Sequence, residues 1–265
     1  MKNYKKNKEL LEKNNIYNSN MEHDACGVGM IASTNGKKSR KIVEYGIEAL
    51  KAIWHRGAVD ADGKSGDGAG IQLEIAPNFF KEKILATGHS HDDTKRICVG
   101  MVFLPRTNYS DQEKCREIVE SVLLEENFSI YGWRQVPVNP KVLGKTANQN
   151  RPEITQVIFK KNEELDTNNL ERELFVVRKK IEKLGREAQQ KEFYICSFSS
   201  RSIVYKGMFL AEVLADFYPD LKNEKLTSRF AIFHQRYSTN TFPSWDLAQP
   251  FRTLAHNGEI NTVKG

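Results

Sequence analysis

The chain has 265 residues, of which 39% are hydrophobic and 28% are charged, a composition typical of a globular protein with a full core. No run of about 18 apolar residues occurs, so the sequence predicts no membrane span. The formal charge of +6 comes from Lys and Arg that are interleaved with Asp and Glu. Because they form no basic stripe, we expect neither a nucleic-acid nor a membrane partner.

Residues 1–25 form a polar segment rich in Lys and Asn. The segment lacks the apolar centre of a secretory signal, and it cannot bury enough apolar surface to offset the entropy of ordering. We expect a disordered leader that is removed, with the functional domain covering residues 26–265.

The four cysteines, at positions 26, 98, 115 and 196, form no CxxC pair. Their spacing argues against a zinc site and against a disulfide framework, and it fits a reducing compartment. We expect the protein in the cytoplasm, with the stroma of a plastid or another organelle as the alternative.

The first predicted elements follow Cys26 directly. Residues 28–32 are a short apolar run that ends at turn residues 34–36, which predicts a buried strand. Apolar residues then recur at helical spacing over 39–54, with Ser39 suited to the N-cap, so a helix is expected to cover that strand.

Residues 60–70 (DADGKSGDGAG) predict a glycine-rich loop, followed by a half-buried strand at 71–75. The triplet from Gly63 to Ser65 resembles the end of a phosphate-binding loop, but Ala58 stands where that motif needs glycine. The loop also leads into a strand rather than a helix. We interpret it as the wall of a pocket near the start of the first strand.

The remainder of the chain contains more strand signals than helix signals. Strands are predicted at 97–104, 133–138, 154–160, 193–197, 203–205, 229–237 and 252–256, and helices at 111–126, 170–190 and 209–216. Because several strands follow one another without a helix, we predict an α+β fold with two packed, largely antiparallel sheets flanked by helices. The sequence predicts that a new helix begins near Glu259, so we expect the domain to be incomplete at its C-terminus.

One cysteine differs from the others. Cys98 and Cys196 lie in apolar strand signals and Cys115 on an amphipathic helix, where a cysteine is a small buried hydrophobic residue. Cys26 instead follows the polar leader. If the bond before Cys26 is cut, its thiol lies beside a free α-amine with a pKa of about 7.7 to 8, which can act as the base.

Arg236 and the pair Asn257–Gly258 are further candidates for a site around this nucleophile. Arg236 ends a predicted strand, where it is either a surface residue or a bidentate partner for a substrate carboxylate. Asn257 and Gly258 form either a tight hairpin turn or an oxyanion hole. Residues 259–263 do not alternate like a returning strand, which favours the oxyanion hole.

Four separated motifs occur together and in order: CGVG from Cys26, HRG at 55–57, HQRYST at 234–239 and HNGE at 256–259. In this combination the chain closely resembles the class II glutamine amidotransferases, which are N-terminal-nucleophile hydrolases. Within that family its sequence is most similar to the amidotransferase domain of glutamate synthase large subunits. The resemblance implies a four-layer αββα sandwich.

The resemblance also implies roles for individual residues. Cys26 would be the nucleophile, Arg236 would bind the α-carboxylate of glutamine with support from Thr239, and Asn257 with Gly258 would form the oxyanion hole. Arg56 is similar to an arginine that braces the nucleophile region. The residue that binds the substrate α-amino group would lie beyond Gly265.

For the complete enzyme, the resemblance implies a synthase part in the same longer chain that carries FMN and an iron-sulfur cluster and passes the ammonia to 2-oxoglutarate. A small subunit or ferredoxin would supply electrons. For this segment itself we expect no cofactor and no metal. The alternatives are the amidotransferase domain of another class II enzyme and a catalytically silent binding module.

Overall fold

The computed structural model describes residues 27–236 and 242–251, together with six residues between positions 6 and 14. These six residues are helical, whereas the sequence predicted a disordered segment. All six are exposed to solvent, and Leu10 keeps 50% of its surface accessible. These six residues therefore bury little apolar surface, as the composition of the segment predicts.

Two four-stranded sheets form the centre of the described structure. The strands are β1 (Val28–Ala32), β2 (Ser65–Glu74), β3 (Cys98–Leu104), β4 (Phe128–Gln135), β5 (Glu153–Lys161), β6 (Tyr194–Ser199), β7 (Ser202–Phe209) and β8 (Phe230–Gln235). The first sheet has the order β1-β8-β2-β7 and the second β4-β5-β3-β6. Every strand pairing within the two sheets is antiparallel.

Helices cover the outer faces of both sheets. They are α1 (Arg40–Ala52), α2 (Pro77–Leu85), α3 (Tyr109–Glu125), α4 (Lys145–Gln149), α5 (Thr167–Glu187) and α6 (Leu214–Phe217). Helix α1 packs on β8 and β1 of the first sheet, while α3 and α5 pack on each other and on the second sheet. The layers are therefore helix, sheet, sheet and helix, which confirms the predicted α+β sandwich.

Strand β3 shows how the layers are held together. Val99, Met101 and Phe103 point into the core that the second sheet shares with the first. Cys98 and Val102 point the other way, into the core formed with α3 and α5. Because successive side chains of a strand alternate between its faces, one fully buried strand serves both cores.

Only the first half of the glycine-rich segment, residues 60–64, is the loop that the sequence predicted. Strand β2 begins at Ser65, and all of its ten residues are buried. A Cβ atom added at Gly66 would lie 2.5 Å from the carbonyl carbon of Phe209, and one added at Gly70 would lie 2.5 Å from the backbone oxygen of Gln249. Glycine is needed here because neighbouring backbone approaches the strand closely, which also explains why the half-buried alternation was wrong.

Three other predictions needed correction. Strand β1 pairs with β8 alone in the described structure, so it is an edge strand rather than a buried one, and 65% of Met30 is exposed. Strand β4 starts five residues before the predicted 133–138, and β7 continues to Phe209, where a helix was predicted. The predicted strand at 252–256 lies outside the described residues.

Candidate active site

The residue after Cys26 is fixed at the end of the first sheet. The backbone N–H of Gln235 donates a hydrogen bond to the carbonyl of Gly27 at 2.6 Å. A Cβ atom at Gly27 would lie only 2.1 Å from the backbone oxygen of Gln235, so no larger residue fits without a shift of the chain. Cys26 itself lies outside the described residues, but its neighbour is held against the last residue of β8.

Arg236 follows β8 directly and adopts a left-handed backbone conformation with φ of 83°. This conformation is uncommon for a residue with a side chain and marks a position that the surroundings enforce. The backbone N–H of Arg236 donates to the carbonyl of Gly68 at 2.7 Å. The side chain stays 40% exposed, although its Nε atom is buried.

Asp67 connects Arg236 to the segment that carries Arg56. Its Oδ2 atom lies 3.7 Å from Nε of Arg236. Its Oδ1 atom accepts a hydrogen bond from the N–H of Ala58 at 3.0 Å, and its own N–H donates to the carbonyl of Ala58 at 3.1 Å. The carboxylate is buried, with 7% of the residue exposed.

Arg56 is the last residue of a short 3-10 helix, Trp54–Arg56, and is half-buried. Its Nε atom is buried and has no hydrogen-bond partner in the part of the chain that the structure describes. The next residue, Gly57, packs so closely on Gln235 that an added Cβ would lie 2.2 Å from Nε2 of that side chain. The structure therefore brings the HRG and HQR motifs into contact.

Gln235 is the residue that joins these segments, and it is fully buried. Its Oε1 atom accepts a hydrogen bond from the N–H of Ala211 at 2.7 Å, and its Nε2 atom donates to the carbonyl of Gly68 at 3.4 Å. Neither Gln235 nor Asp67 was predicted from the sequence as a site residue. The available signal for Gln235 was a polar residue at the end of an apolar strand, and for Asp67 it was an acidic residue between two glycines.

The amides of the glycine-rich turn are not open to a phosphate. Asp62 accepts hydrogen bonds from the N–H groups of Lys64 and Ser65 and from the hydroxyl of Ser65. These bonds hold the pKa of the Asp62 carboxyl far below its usual value. The turn is therefore closed by an internal carboxylate, which agrees with the interpretation that it is not a nucleotide site.

The other three cysteines occupy the structural positions that the sequence predicted. Cys98, Cys115 and Cys196 are buried and unpaired with one another. Burial raises the pKa of the Cys98 thiol far above its usual range and that of Cys115 to about 12, so neither provides a thiolate near neutral pH. Within residues 27–236 and 242–251, no group of three His, Cys, Asp or Glu side chains is arranged to hold a metal ion.

Of the six predicted site residues, the structure describes two, Arg56 and Arg236. Cys26, Thr239, Asn257 and Gly258 lie outside the described residues. The two arginines reach the same end of the first sheet, since the segment after Arg56 is bonded to Asp67 and Asp67 faces Arg236. This end of the sheet collects three of the four motifs found in the sequence.

A sandwich of two antiparallel sheets with helices on both sides is consistent with the fold of N-terminal-nucleophile hydrolases. The chain belongs to the class II glutamine amidotransferases: the sequence model described as "Glutamine amidotransferases class-II" matches residues 26–265. The match begins at Cys26, the residue for which the sequence predicts a free amine.

Several curated relatives are glutamate synthases. The chain is 57% identical over 262 residues to the glutamate synthase [NADPH] large chain of Azospirillum brasilense, covering 99% of this chain and 17% of that protein. It is 46% identical to the ferredoxin-dependent glutamate synthase of Pyropia yezoensis, over 97% of this chain and 17% of the relative. It is also 46% identical to ferredoxin-dependent glutamate synthase 2 of Synechocystis sp., over 92% of this chain and 15% of the relative.

The chain thus spans about one sixth of the length of these relatives. The alignment with the Azospirillum protein extends into the segment before Cys26, because it covers 99% of this chain. Among the described helices, none combines the length and the apolar character that a membrane span requires.

Proposed function

We propose that this domain hydrolyses glutamine to glutamate and ammonia, with Cys26 as nucleophile and mature N-terminal residue. The observation that carries the proposal is the meeting of three motifs at one end of the first sheet. Gly27, the neighbour of Cys26, is hydrogen-bonded to Gln235, and Arg236 follows at once with a side chain that is 40% exposed. The family match over residues 26–265 supports the same assignment.

The chemistry requires removal of residues 1–25. The free α-amine of Cys26 then accepts the thiol proton, directly or through a water molecule, because its reference pKa of about 7.7 to 8 lies close to the thiol value of about 8.5. The thiolate sulfur bonds to the side-chain amide carbon of glutamine. The carbon–nitrogen bond breaks, the nitrogen takes up the proton and leaves as ammonia, and a thioester remains. Water hydrolyses the thioester to glutamate and restores the thiol.

The remaining roles concern binding and charge. The guanidinium of Arg236 pairs with the α-carboxylate of glutamine, Thr239 supports that pocket, and Arg56 braces the region around the nucleophile. The side-chain amide of Asn257 and the N–H of Gly258 donate to the oxyanion of the tetrahedral intermediate. A donor of this kind typically stabilises the transition state by about 2.7 to 4 kcal/mol.

For the whole protein we propose a glutamate synthase, in which the ammonia reaches a synthase part of the same chain and 2-oxoglutarate accepts it. The similarity to NADPH-dependent and ferredoxin-dependent relatives supports this assignment. The three described cysteines lie buried in separate elements and form no ligand set, so they do not fit an iron-sulfur cluster. The FMN and iron-sulfur centres would belong to the synthase part, and the enzyme would work in the cytoplasm or a plastid stroma.

Substitution of the nucleophile tests the proposal. In the full-length protein, Cys26→Ala is expected to lower glutamine hydrolysis by at least about a thousandfold, since a missing nucleophile leaves only binding and oxyanion contacts. Cys115→Ala serves as the control, because that thiol is buried and its raised pKa of about 12 keeps it protonated. Release of ammonia from glutamine is the measurement. Full activity of Cys26→Ala would show that another group is the nucleophile.

A further inference from the structure

Asp67 is a buried carboxylate for which the sequence analysis gave no role. It lies between Gly66 and Gly68, and the backbone on both sides is packed tightly. A Cβ atom at Gly66 would lie 2.5 Å from Phe209, and one at Gly68 would lie 3.1 Å from the Cβ of Ala248. The backbone that carries Asp67 therefore has little room to move, and its carboxylate is presented from a fixed point.

The two carboxylate oxygens of Asp67 face different motifs. Oδ1 accepts the N–H of Ala58, two residues after Arg56, at 3.0 Å. Oδ2 lies 3.7 Å from Nε of Arg236, an ion-pair distance. Arg236 is also held at its backbone, where its N–H donates to the carbonyl of Gly68. Two adjacent residues of β2 thus contact Arg236: Asp67 lies beside its side chain, and Gly68 accepts a hydrogen bond from its backbone.

The side of the guanidinium that faces Asp67 determines what the other side can bind. Because Oδ2 of Asp67 lies beside Nε, the two terminal amino groups of Arg236 are the donors that remain for a second carboxylate. Neither of them bonds to a residue within the described ranges, and the side chain is 40% exposed. A pair of parallel N–H donors on an arginine held in this way matches the two oxygens of one carboxylate.

We propose that Asp67 is a positioning residue that orients Arg236 for end-on, bidentate binding of the substrate α-carboxylate. The inference rests on the proposed function, since it concerns the same glutamine site. Asp67 does not touch the substrate, and its effect passes through Arg236. Its loss therefore weakens glutamine binding and leaves the attack of the thiol on the amide largely unchanged.

The test is Asp67→Asn in the full-length protein. The asparagine oxygen still accepts the N–H of Ala58, so the substitution removes the charge that faces Arg236 and keeps the loop contact. We expect the KM for glutamine to rise about fivefold, the order of a partly exposed ion pair, with kcat within about twofold of wild type. Asp62→Asn is the control, because Asp62 lies in the same segment but bonds to Lys64, Ser65 and Thr146.

A labelling experiment separates a positioning role from a general loosening of the site. A diazoketone analogue of glutamine, which keeps the α-carboxylate, should alkylate Cys26 about fivefold more slowly in Asp67→Asn at subsaturating concentration. Iodoacetamide has no α-carboxylate and should react with Cys26 equally fast in both proteins. Equal slowing with both reagents would overturn the inference.

Arg236→Ala completes the test, because Asp67→Asn should cause no further loss of kcat/KM in that background. An additional loss there would show that Asp67 acts by another route.

If Asp67→Asn does not fold, the smaller Asp67→Ser removes the same charge, and the same rise in KM is required. A wild-type protein that neither hydrolyses glutamine nor reacts with the analogue would refute the proposed function. An active wild type with an unchanged KM in Asp67→Asn would refute only the role of Asp67.

Discussion

At the scale of single residues, the candidate site depends on backbone positions as much as on reactive side chains. Gly27 contacts the backbone of Gln235, and Gly57 contacts its side-chain amide. Both glycines directly follow a residue with a proposed role, Cys26 and Arg56. Their small size lets two separate motifs approach the end of β8, and this requirement is the physical reason for glycine at both positions.

Gly27→Ala is therefore expected to damage both stability and activity. The added Cβ would lie 2.1 Å from the backbone oxygen of Gln235, so the chain beside Cys26 must shift. We predict a loss of about 1 to 3 kcal/mol in the free energy of unfolding. A displacement of the nucleophile of even about 1 Å can lower kcat/KM about a hundredfold. Denaturant unfolding and glutamine hydrolysis measure the two effects.

Gly36→Asn is a suitable control for this substitution. Gly36 has a φ of 67° and no atom within 4 Å of an added Cβ, and asparagine tolerates this backbone region. It should change the free energy of unfolding by less than about 0.5 kcal/mol. Wild-type activity of Gly27→Ala would mean that the contact with Gln235 does not set the position of the nucleophile.

The sequence predicted part of this site. Arg236 stands at the end of an apolar run and could be recognised as a strand-end residue. Asp67 could not be recognised, because an acidic residue among glycines has the same local pattern as a solvated turn. Its burial and its contact with Arg236 depend on β2 lying beside β8 in the sheet, and hydrophobic periodicity does not specify strand order.

At the scale of elements, periodicity predicted those with a clear apolar pattern. Helix α1 begins at the predicted N-cap, where the hydroxyl of Ser39 accepts the N–H of Lys41, and β3 and β5 match their predictions within two residues. The second half of β2 was predicted as a strand, but residues 65–70 were predicted as a loop because glycine has low strand propensity, and only tertiary contacts explain their burial. Helix α2 was not predicted, because a helix of nine residues is too short to repeat the apolar spacing of a helix more than twice.

An ion pair joins β2 to the segment before β8 and gives a pH prediction. Glu74 is buried at the end of β2 and bonds to Arg229 at 2.6 and 3.0 Å and to Lys38 at 3.0 Å. Partial burial raises the pKa of the Glu74 carboxyl. The hydrogen bonds from Arg229 and Lys38 together lower it by more than burial raises it, so the net pKa is below the usual 4.5. A lowered pKa in the folded state means that the ionised form stabilises the fold.

Glu74→Gln should therefore lower the free energy of unfolding at pH 7 by about 1 to 2 kcal/mol. The loss is no larger because Arg229 is exposed and solvent screens its charge. This difference is present above the unfolded-state pKa of about 4.5 and disappears as the pH falls through the lower folded-state value. Unfolding free energies between pH 7 and pH 3 measure it. Glu44→Gln is the control, since Glu44 pairs with Arg40 on α1 and its own side chain is 44% exposed. A pH-independent difference would show that charge is not the cause.

At the scale of the whole molecule, the sandwich brings together segments that lie far apart in the chain. Strands β1, β8 and β2 are neighbours in the first sheet, so residues near positions 27, 67 and 236 meet at one end. The sequence predicted two sheets and flanking helices from the excess of strands over helices. It did not predict which strands are neighbours, because strand order depends on long-range packing.

The central claim is that Cys26 becomes the N-terminal residue and provides both the thiol and the base. The N-terminal sequence of the purified, active full-length protein tests it most directly. We predict that the sequence begins with Cys26, Gly27 and Val28 and that the same sample releases ammonia from glutamine. A protein that begins at Met1 and hydrolyses glutamine at the same rate would contradict the account, because its α-amine could not act as the base for Cys26.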